Sequence, residues 1–482
     1  MVREHRTRLG LAVSRRDPLI DPWAVIILAA GQGTRMKSRV PKVLHPLGSR
    51  PLIRHSTDLA RALVPQRPPI VVVGHGADEV RAILGDEVEY VEQTEQLGTG
   101  HAVLQARTTL EGRAARLIIF YADMPLLTRE TVQRLMALHQ EKGGPLTLLT
   151  VIADAPRGFG RILRDGSGHI LGIVEEGQAT PEQLAIKELN PGVYACDAAW
   201  LWPRLARLPL SPKGEYYLTD IVALAVAEGT PVETCTTDDP DECLGINTRV
   251  HLAEAEAVLR ERINRRWMLA GVTMLDPATT YIGAEVEIGP DTVIYPHTHI
   301  WGKTKIGQEC VIGPNTIIRD SSIGNQVQIE CSVIEGATVE DRVDIGPFAH
   351  LRQGAHLATG VHMGNFGEVK NSYLGSGTRM GHFSYLGDAQ IGENVNIGAG
   401  TITCNYDGVR KQRTIIEDGA FIGSDTMLVA PVRIGRGAKT GAGSVVTHDI
   451  PPESLAYGVP ARVKKDPGEG PAMAPSPGQD GT

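Results

Sequence analysis

Aromatic residues, cysteine motifs and long apolar runs are all scarce in this chain of 482 residues. Phe, Trp and Tyr make up 5% of the sequence, none of the six cysteines forms a CxxC pair, and no histidine cluster has zinc-ligand spacing. The cysteines therefore predict reduced, mostly buried thiols, and we expect a cytoplasmic protein. No apolar stretch approaches the ~18 residues that a membrane-spanning helix needs, so no membrane span is expected.

An excess of positive charge is also missing. The formal net charge of −8 argues against nucleic acid as the main partner, and an anionic substrate would need local basic groups. The first 20 residues contain five arginines but no apolar segment, so they do not resemble a secretory signal. We expect residues 1–20 to be a disordered extension. Residues 466–482, which have little to bury, should form a disordered tail.

Glycine is abundant, with 54 residues, and a six-residue repeat begins at Ile282. Aliphatic residues recur at every sixth position, as at Ile288 and Ile294, and glycine often follows them. This period fits neither a helix nor a half-buried strand and predicts a repeat architecture. It is typical of a left-handed parallel β-helix, in which each six residues form one side of a triangular coil. We expect this domain over residues 272–465, with residues 404–414 looping out of it.

The first half of the chain predicts a different fold. Short apolar runs at residues 24–30, 70–73 and 117–120 alternate with helical patterns. This alternation indicates an α/β Rossmann-like domain over residues 21–248 with a mainly parallel sheet, in which ligands bind beyond the carboxyl ends of the strands. Residues 249–271 predict one charged amphipathic helix that links the two domains.

A glycine loop, LAAGQGTRM, follows the first apolar run at residues 28–36, and PKVLH comes soon after it. Gly31 and Gly33 let backbone N–H groups approach phosphate oxygens. Arg35 and Lys42 supply the positive charge that a triphosphate requires. They are candidate catalytic residues, because their charge would offset the repulsion between two anionic reactants. Together these motifs resemble those of sugar-nucleotide pyrophosphorylases, which join a nucleoside triphosphate to a sugar 1-phosphate.

The same resemblance implies the rest of the nucleotide site. QTEQLGTGHA is similar to the family's segment for recognising uracil, and GEYYLTD to a segment of its N-acetylglucosamine branch. Asp123 and Asn247 match the family's Mg²⁺ ligands. The residues implied to bind UTP and the UDP-sugar are Leu28, Ala29, Ala30, Gly31, Lys42, Gln93, Gly98, Thr99, Tyr121, Ala122, Asp123, Gly160, Glu175, Asn190 and Asn247. Ala122 replaces the glycine usual in the family, which would add a methyl group near the nucleotide.

The segments GHFSYLGD and NIGAGTITCNYDG indicate a second site on the repeat domain. His382 follows Met380 and Gly381 in the repeat, so its side chain should point outward. There an imidazole could take a proton from an amine that attacks a thioester. Positive charge and hydrogen-bonding groups for a sugar phosphate are available at Arg352, Lys370, Tyr385, Asn396 and Asn405.

This block is similar to the acetyltransferase half of the bifunctional N-acetylglucosamine-1-phosphate uridylyltransferase / glucosamine-1-phosphate acetyltransferase family. The likeness to both halves covers roughly residues 21–465. It implies that His382 is the general base and that the protein is a homotrimer whose acetyl sites lie between subunits. The residues implied to bind glucosamine 1-phosphate are Arg352, Lys370, Tyr385 and Asn396. Those implied to line the acetyl-CoA groove are Ala399, Asn405, Tyr406, Ser424 and Ala442.

Three features leave alternatives open. The family has an arginine for coenzyme A where this chain has none before Val459, and Arg462 or Lys464 could replace it. The evenly spaced His350, His356 and His362 are interpreted as outward-facing or interface residues rather than metal ligands. Other functions compatible with the sequence are a pyrophosphorylase whose β-helix only assembles or regulates it, and a structural solenoid with a nucleotide-sensing domain.

Overall fold

The computed structural model describes residues 21–465, and the chain divides into two compact units at Ala257 and Val258. The predicted extension 1–20 and tail 466–482 lie outside the described residues. No helix in the described part is long and apolar enough to cross a membrane. The described cysteines are free thiols, of which Cys331 and Cys404 are half-buried and the other four are buried.

The first unit alternates strands and helices, as its apolar runs predicted. Its strands are β1 Asp21–Leu28, β2 Pro46–Leu47, β3 Arg50–Pro51, β4 Ile70–Val73, β5 Glu89–Glu92, β6 Ala114–Tyr121, β7 Leu146–Ile152, β8 Gly160–Arg164, β9 Ile170–Val174, β10 Glu188–Asn190, β11 Tyr194–Asp197 and β12 Val232–Thr237. Its helices are α1 Leu52–Leu63, α2 Ala77–Leu84, α3 Thr99–Gln105, α4 Arg107–Leu110, α5 Arg129–Lys142, α6 Pro181–Leu184, α7 Ala198–Leu205 and α8 Asp220–Ala227.

The central sheet has the order β5-β4-β1-β6-β11-β7-β10-β8-β9, with β12 beside β7. Strands β5, β4, β1 and β6 are parallel, whereas β11 runs antiparallel to both β6 and β7. The Rossmann-like fold is confirmed, but the expectation of a mainly parallel sheet is wrong for its second half. A loop as short as that between β8 and β9 can only join antiparallel strands, and buried apolar runs do not reveal strand direction.

Both faces of this sheet are covered, which explains the continuous apolar runs. Ala102, Leu201 and Ile221 from α3, α7 and α8 pack in one core layer, and Ile53 and Leu135 from α1 and α5 pack in the other. Because β1 and β6 are parallel neighbours, their carboxyl ends open at the same edge of the sheet. That edge carries the first site.

The predicted linker is a single helix, α9 Arg249–Leu269, which ends two residues before the predicted limit at residue 271. In its second half Ile263 is buried, and Leu259 and Trp267 pack against the same core cluster. The Asn264 amide is also buried, and its Nδ2 donates to the carbonyl oxygens of Pro277 and Thr280 at 2.8 and 2.9 Å. These contacts anchor the end of α9 to the first coil of the second unit.

The second unit is a left-handed parallel β-helix with three faces, as the six-residue repeat predicted. Face 1 contains Thr273–Met274, Val293–Ile294, Val311–Ile312, Gln328–Ile329, Asp344–Ile345, His362–Met363, Arg379–Met380, Asn396–Ile397, Phe421–Ile422, Lys439–Thr440, Leu455–Gly458 and Ala461–Lys465. Face 2 contains Tyr281–Ile282, His299–Trp301, Ile317–Arg319, Val333–Glu335, His350–Leu351, Gly367–Lys370, Ser384–Gly387, Ile402–Cys404, Met427–Val429 and Val445–Val446. Face 3 contains Glu287–Ile288, Lys305–Ile306, Ser322–Ile323, Thr338–Val339, His356–Leu357, Tyr373–Leu374, Ala389–Ile391, Thr414–Ile416 and Val432–Ile434.

The repeating aliphatic side chains fill the inside of the coils, and Ile300, Ile318 and Leu351 are fully buried. Glycine follows many of them because the corners of successive coils touch. A Cβ at Gly398 or Gly423 would lie 2.6 or 2.5 Å from the backbone of the next coil, closer than any side chain allows. Residues 405–413 leave the coil between faces 2 and 3, one residue inside each end of the predicted loop 404–414.

Candidate active sites

The edge where β1 and β6 end brings together three side chains that are far apart in sequence. The Lys42 ammonium lies 2.5 Å from Asp123 Oδ2 and 3.1 Å from Asn247 Oδ1. Arg35 Nη2 donates to the same Asn247 oxygen at 3.0 Å. Asp123 lies two residues after the end of β6, and Asn247 lies two residues before the start of α9. All four residues, which the sequence assigned to metal binding and charge neutralisation, therefore form one cluster.

The same cluster tests whether Mg²⁺ fits. Lys42 and Asp123 side chains are only 14% and 16% exposed, so a cationic group already lies, partly desolvated, between the two implied metal ligands. Carboxylate and amide oxygens are the ligand type that Mg²⁺ prefers, and it usually keeps waters and phosphates as further ligands. Within residues 21–465 no group of three or more His, Cys, Asp or Glu could hold a metal ion, so this donor set fits only a metal that brings other ligands.

A cavity of about 430 Å³ opens above the cluster. Of the residues predicted to bind nucleotide, those that line it are Leu28, Ala29, Ala30, Gly31, Lys42, Gln93, Gly98, Thr99, Tyr121, Asp123 and Asn247. Gly33 has a φ of +63°, and a Cβ there would lie 2.5 Å from Lys42 Cβ, so the loop can approach Lys42 only because it has glycine. Ala122, which was also predicted to bind the nucleotide, is fully buried in the apolar core and does not line this cavity.

A second cavity of about 290 Å³ contains the three residues predicted to hold the sugar: Gly160, Glu175 and Asn190. Its lining also includes Arg35, Tyr121, Asp123 and Asn247, so the two cavities meet at the cluster. Thr219 Oγ1 donates to Glu175 Oε1 at 2.8 Å, and Asn190 Nδ2 donates to the Tyr194 hydroxyl at 2.8 Å. Burial raises the pKa of Tyr121, so its hydroxyl stays protonated and uncharged where the side chain lines both cavities.

Sequence reasoning missed several lining residues in this unit. Gln96 lines the nucleotide cavity, and its Nε2 donates to the Ala30 carbonyl at 3.0 Å. Phe159 and Thr219 line the sugar cavity. Phe159 precedes the predicted Gly160 and Thr219 belongs to the segment GEYYLTD, but only the fold reveals that these two side chains face the cavity.

On the β-helix, His382 lies at the corner between faces 1 and 2 and is exposed, as predicted. Ala399, Ser424 and Ala442 lie at the same corner in the coils that follow. Backbone hydrogen bonds join these coils: Gly400 N donates to Phe383 O at 2.7 Å, Asp425 N to Ala399 O at 2.6 Å and Gly443 N to Ser424 O at 2.8 Å. The predicted base and three predicted acetyl-CoA residues thus form a column along one edge of face 2.

The predicted sugar-phosphate cations lie at the opposite edge of face 2. Arg352 Nη1 donates to Glu368 Oε1 at 2.9 Å. Lys411, on the protruding loop, and Arg352 together lower the pKa of Lys370, because like charges disfavour its ammonium form. Lys411 was not predicted, since only the folded loop brings it back to Lys370.

Two predicted acetyl-CoA residues, Asn405 and Tyr406, also lie at this cation edge, just after the strand Ile402–Cys404. Asn405 Nδ2 donates to Asp388 Oδ2 at 2.6 Å, whereas the Tyr406 side chain is 63% exposed. Tyr385 lies in the middle of face 2, and Asn396 is on face 1. A strand of four residues such as Ser384–Gly387 spans roughly 13 Å. One chain therefore spreads the predicted acetyl-transfer residues over two edges and two faces.

The three evenly spaced histidines do not converge, because each lies on a different face. His350 and His356 contact carboxylates of the coil below, Glu335 and Glu340, at 3.4 and 2.8 Å, and His362 contacts Asp344 in the same way.

The two cations considered as replacements for the family's arginine lie on the last strand, Ala461–Lys465. Lys464 Nζ lies 5.7 Å from the centre of the Tyr457 ring, and Arg462 Nη1 donates to Ala461 O at 3.2 Å. Since Tyr457 stacks directly above Gly441, Lys464 is near the upper end of the His382 column.

Comparison with known proteins agrees with both units. Residues 25–220 match a model of the MobA-like NTP transferase domain, and residues 285–320 and 413–448 match the bacterial transferase hexapeptide model of six repeats. Proteins named Bifunctional protein GlmU align along nearly the whole chain. The relative from Heliobacterium modesticaldum is 51% identical over 433 residues, which are 89% of this chain and 94% of the relative. Those from Trichlorobacter lovleyi and Methylococcus capsulatus are 46% and 50% identical, over 92% and 89% of this chain and 97% and 93% of their own. The chain therefore belongs to the GlmU family of bifunctional proteins.

Proposed function

We propose that this protein makes UDP-N-acetylglucosamine in two consecutive steps. The β-helix acetylates glucosamine 1-phosphate with acetyl-CoA, and the α/β unit then transfers UMP from UTP to the product, releasing pyrophosphate. The chain is a nucleotidyltransferase and an acetyltransferase, as both family models and its bifunctional relatives show. The observation that carries the more specific proposal is the meeting of a nucleotide cavity and a sugar cavity at Asp123 and Asn247.

In the uridylyl transfer no protein nucleophile is needed, because the sugar phosphate itself attacks the α-phosphorus. Asp123 and Asn247 would hold Mg²⁺, which when bound would neutralise charge on the phosphates. Arg35 and Lys42 project into the same space and would stabilise the charge that develops on pyrophosphate. Glu175 and Asn190, whose side chains are fixed by hydrogen bonds, would orient the sugar so that its phosphate faces the cluster.

In the acetyl transfer His382 would act as the general base for the amine of glucosamine 1-phosphate. Its imidazole is exposed and accessible, which an acceptor for a substrate proton requires. Arg352, Lys370 and Lys411 would bind the phosphate, and the lowered pKa of Lys370 reflects how closely these cations are placed. Acetyl-CoA would lie along the column above His382, with Lys464 at its far end for a coenzyme A phosphate.

A homotrimer is proposed because one chain separates His382 from the cations by the width of face 2. Three phenylalanines stand exposed at the His382 edge: Phe348, Phe366 and Phe383 are 58%, 59% and 57% exposed. The Phe348 and Phe366 rings stack at 5.3 Å, and both residues have positive φ, at +62° and +55°. An aromatic ring exposed to water is unfavourable, and so is a bulky residue with left-handed backbone. A neighbouring subunit that covers these phenylalanines and supplies the missing edge of the site explains why they occur here.

We also propose a cytoplasmic location, which the free thiols of the described cysteines support.

One reaction tests the proposed function. Incubation with glucosamine 1-phosphate, acetyl-CoA, UTP and Mg²⁺ should yield UDP-N-acetylglucosamine by mass spectrometry. Omission of acetyl-CoA should abolish that product, and N-acetylglucosamine 1-phosphate should restore it. Failure of the restoration would contradict the uridylyl assignment, and failure of thiol release from acetyl-CoA would contradict the acetyl assignment.

The trimer is tested by Phe348→Asn with Phe366→Asn, because asparagine tolerates positive φ and removes the apolar rings. Sedimentation should show dissociation, with loss of acetyl transfer and retention of uridylyl transfer. Leu210→Asn is a matched control, since Leu210 is 59% exposed but lies in the first unit. A double variant that stays trimeric would contradict the assigned interface, and an active wild-type monomer would contradict the shared site.

A further inference from the structure

The Gln93 side chain lines the nucleotide cavity and is almost fully buried, at 5% exposure. Its amide Nε2 donates to the Gly98 carbonyl at 2.9 Å and lies 3.1 Å from His101 Nδ1. A carbonyl oxygen can only accept, so the NH₂ side of the amide must face Gly98. Both N–H groups of this amide then face protein acceptors, one at Gly98 and one at His101.

His101 lies behind Gln93 rather than in the cavity. It is on α3, it does not line the cavity, and its other ring nitrogen is 3.0 Å from Gln105 Nε2. The ring is thus held between two glutamines. To accept the second N–H of Gln93, Nδ1 must carry no proton, because a protonated Nδ1 could only donate. The ring proton is then on Nε2, and since that N–H also only donates, the Gln105 amide must present its oxygen to it.

The oxygen of the Gln93 amide has no hydrogen-bond donor among the residues that the structure describes. Since the amide lines the cavity and its nitrogen is fully used, the cavity presents a hydrogen-bond acceptor at this position. A uracil base offers an N–H donor at N3, whereas cytosine offers an acceptor there. An acceptor facing an acceptor leaves both without a partner in a buried site, which disfavours cytosine.

We propose that His101 is a positioning residue that fixes the Gln93 amide with its oxygen toward the base, and that it thereby sets the preference for uracil over cytosine. This inference rests on the proposed use of UTP. Without the His101 acceptor, only Gly98 restrains the amide. A rotated amide, which presents its NH₂ group and suits the cytosine N3 acceptor, then loses one hydrogen bond instead of two.

The test compares His101→Leu with His101→Asn. The asparagine Oδ1 can replace Nδ1 as the acceptor, whereas leucine fills similar space with no polar group. For each protein, kcat/KM is measured by pyrophosphate release with UTP and with CTP, using N-acetylglucosamine 1-phosphate as the acceptor. Leu should lower the UTP to CTP ratio about tenfold or more, and Asn should keep it within about threefold of the wild type.

Two results would overturn the inference. One is an equal loss with UTP and CTP in His101→Leu, which would indicate a purely structural role for the ring. The other is a ratio in His101→Asn as low as in His101→Leu. The thermal unfolding transition of the first unit, compared with that of the wild type, reports whether each variant is folded there. Absence of pyrophosphate release from UTP by the wild type would instead contradict the proposed function itself.

Discussion

The two units assemble their sites in opposite ways. In the α/β unit, Lys42, Asp123 and Asn247 come from three distant parts of the chain, and the Lys42 ammonium lies 2.5 Å from Asp123 and 3.1 Å from Asn247. In the β-helix, His382 and Lys370 are close in sequence yet lie at opposite edges of one face. A sheet with crossover connections gathers loops at one edge, whereas a solenoid displays each coil's residues beside those of its neighbours. The first site can therefore be complete in one chain, whereas the second is completed by another surface only in the homotrimer that we propose.

The largest expected effect tests the site that is complete in one chain. Asp123→Ala should lower uridylyl transfer by roughly 10³-fold, because it removes the only carboxylate of the cluster. Acetyl transfer should be unchanged, since the β-helix is a separate unit. The measurement is pyrophosphate release beside thiol release. Asp154→Ala, at an exposed carboxylate of the same unit paired with Lys187, is the control and should behave as wild type. Equal loss of both activities in Asp123→Ala would show that the two sites are not independent.

The second prediction concerns the site spread along the solenoid. His382→Ala should lower acetyl transfer by about 10²-fold, the usual contribution of a general base, and leave uridylyl transfer intact. The thiol-release assay measures it. His297→Asn removes another exposed imidazole of the β-helix, at a positive φ that asparagine tolerates, and should have no effect. Near-normal acetylation by His382→Ala would mean that another group takes the proton.

A third, smaller effect concerns the Lys42 ammonium, which lies between the implied metal ligands. Lys42→Met should increase the affinity for Mn²⁺ in the absence of nucleotide by about tenfold, since a cation that competes for Asp123 is removed. Electron paramagnetic resonance of free Mn²⁺ measures this without turnover. Adding Asp123→Ala to that variant should abolish the gain. Unchanged or weaker Mn²⁺ binding by Lys42→Met would show that the ammonium and the metal do not compete.

The smallest effect tests contacts between coils. His356 and the Thr359 groups hold the pKa of the Glu340 carboxyl below its ordinary value, so this contact stabilises the fold above the ordinary carboxyl pKa. Glu340→Gln should lower the stability of the β-helix at pH 7 by less than about 1 kcal/mol, because the pair is partly exposed and screened. The difference from wild type should disappear as the pH falls through the lowered pKa. Urea titrations at several pH values measure it, and a difference that grows in acid would contradict the assignment.

The sequence predicted the β-helix almost residue by residue because its geometry repeats. Each inward position, such as Ile300, sits at a fixed interval, and the outward position of His382 follows from counting. The direction of β11 and the burial of Ala122 could not be predicted, since apolar runs look the same in parallel and antiparallel strands. His101 and Lys411 were missed for a related reason. Each matters through a partner that only the fold brings near.

The tight corners of the β-helix also limit how this protein can change. A Cβ at Gly398 would collide with the neighbouring coil. At this position the chain therefore tolerates neither a larger residue nor a shift in how the two coils align. Inserted residues fit only where the backbone does not pack on the neighbouring coil, as in the loop after Cys404. Insertions that adapt the protein to a different acyl acceptor can therefore be accommodated in the loop after Cys404, whereas the coils on either side of it leave almost no space for them.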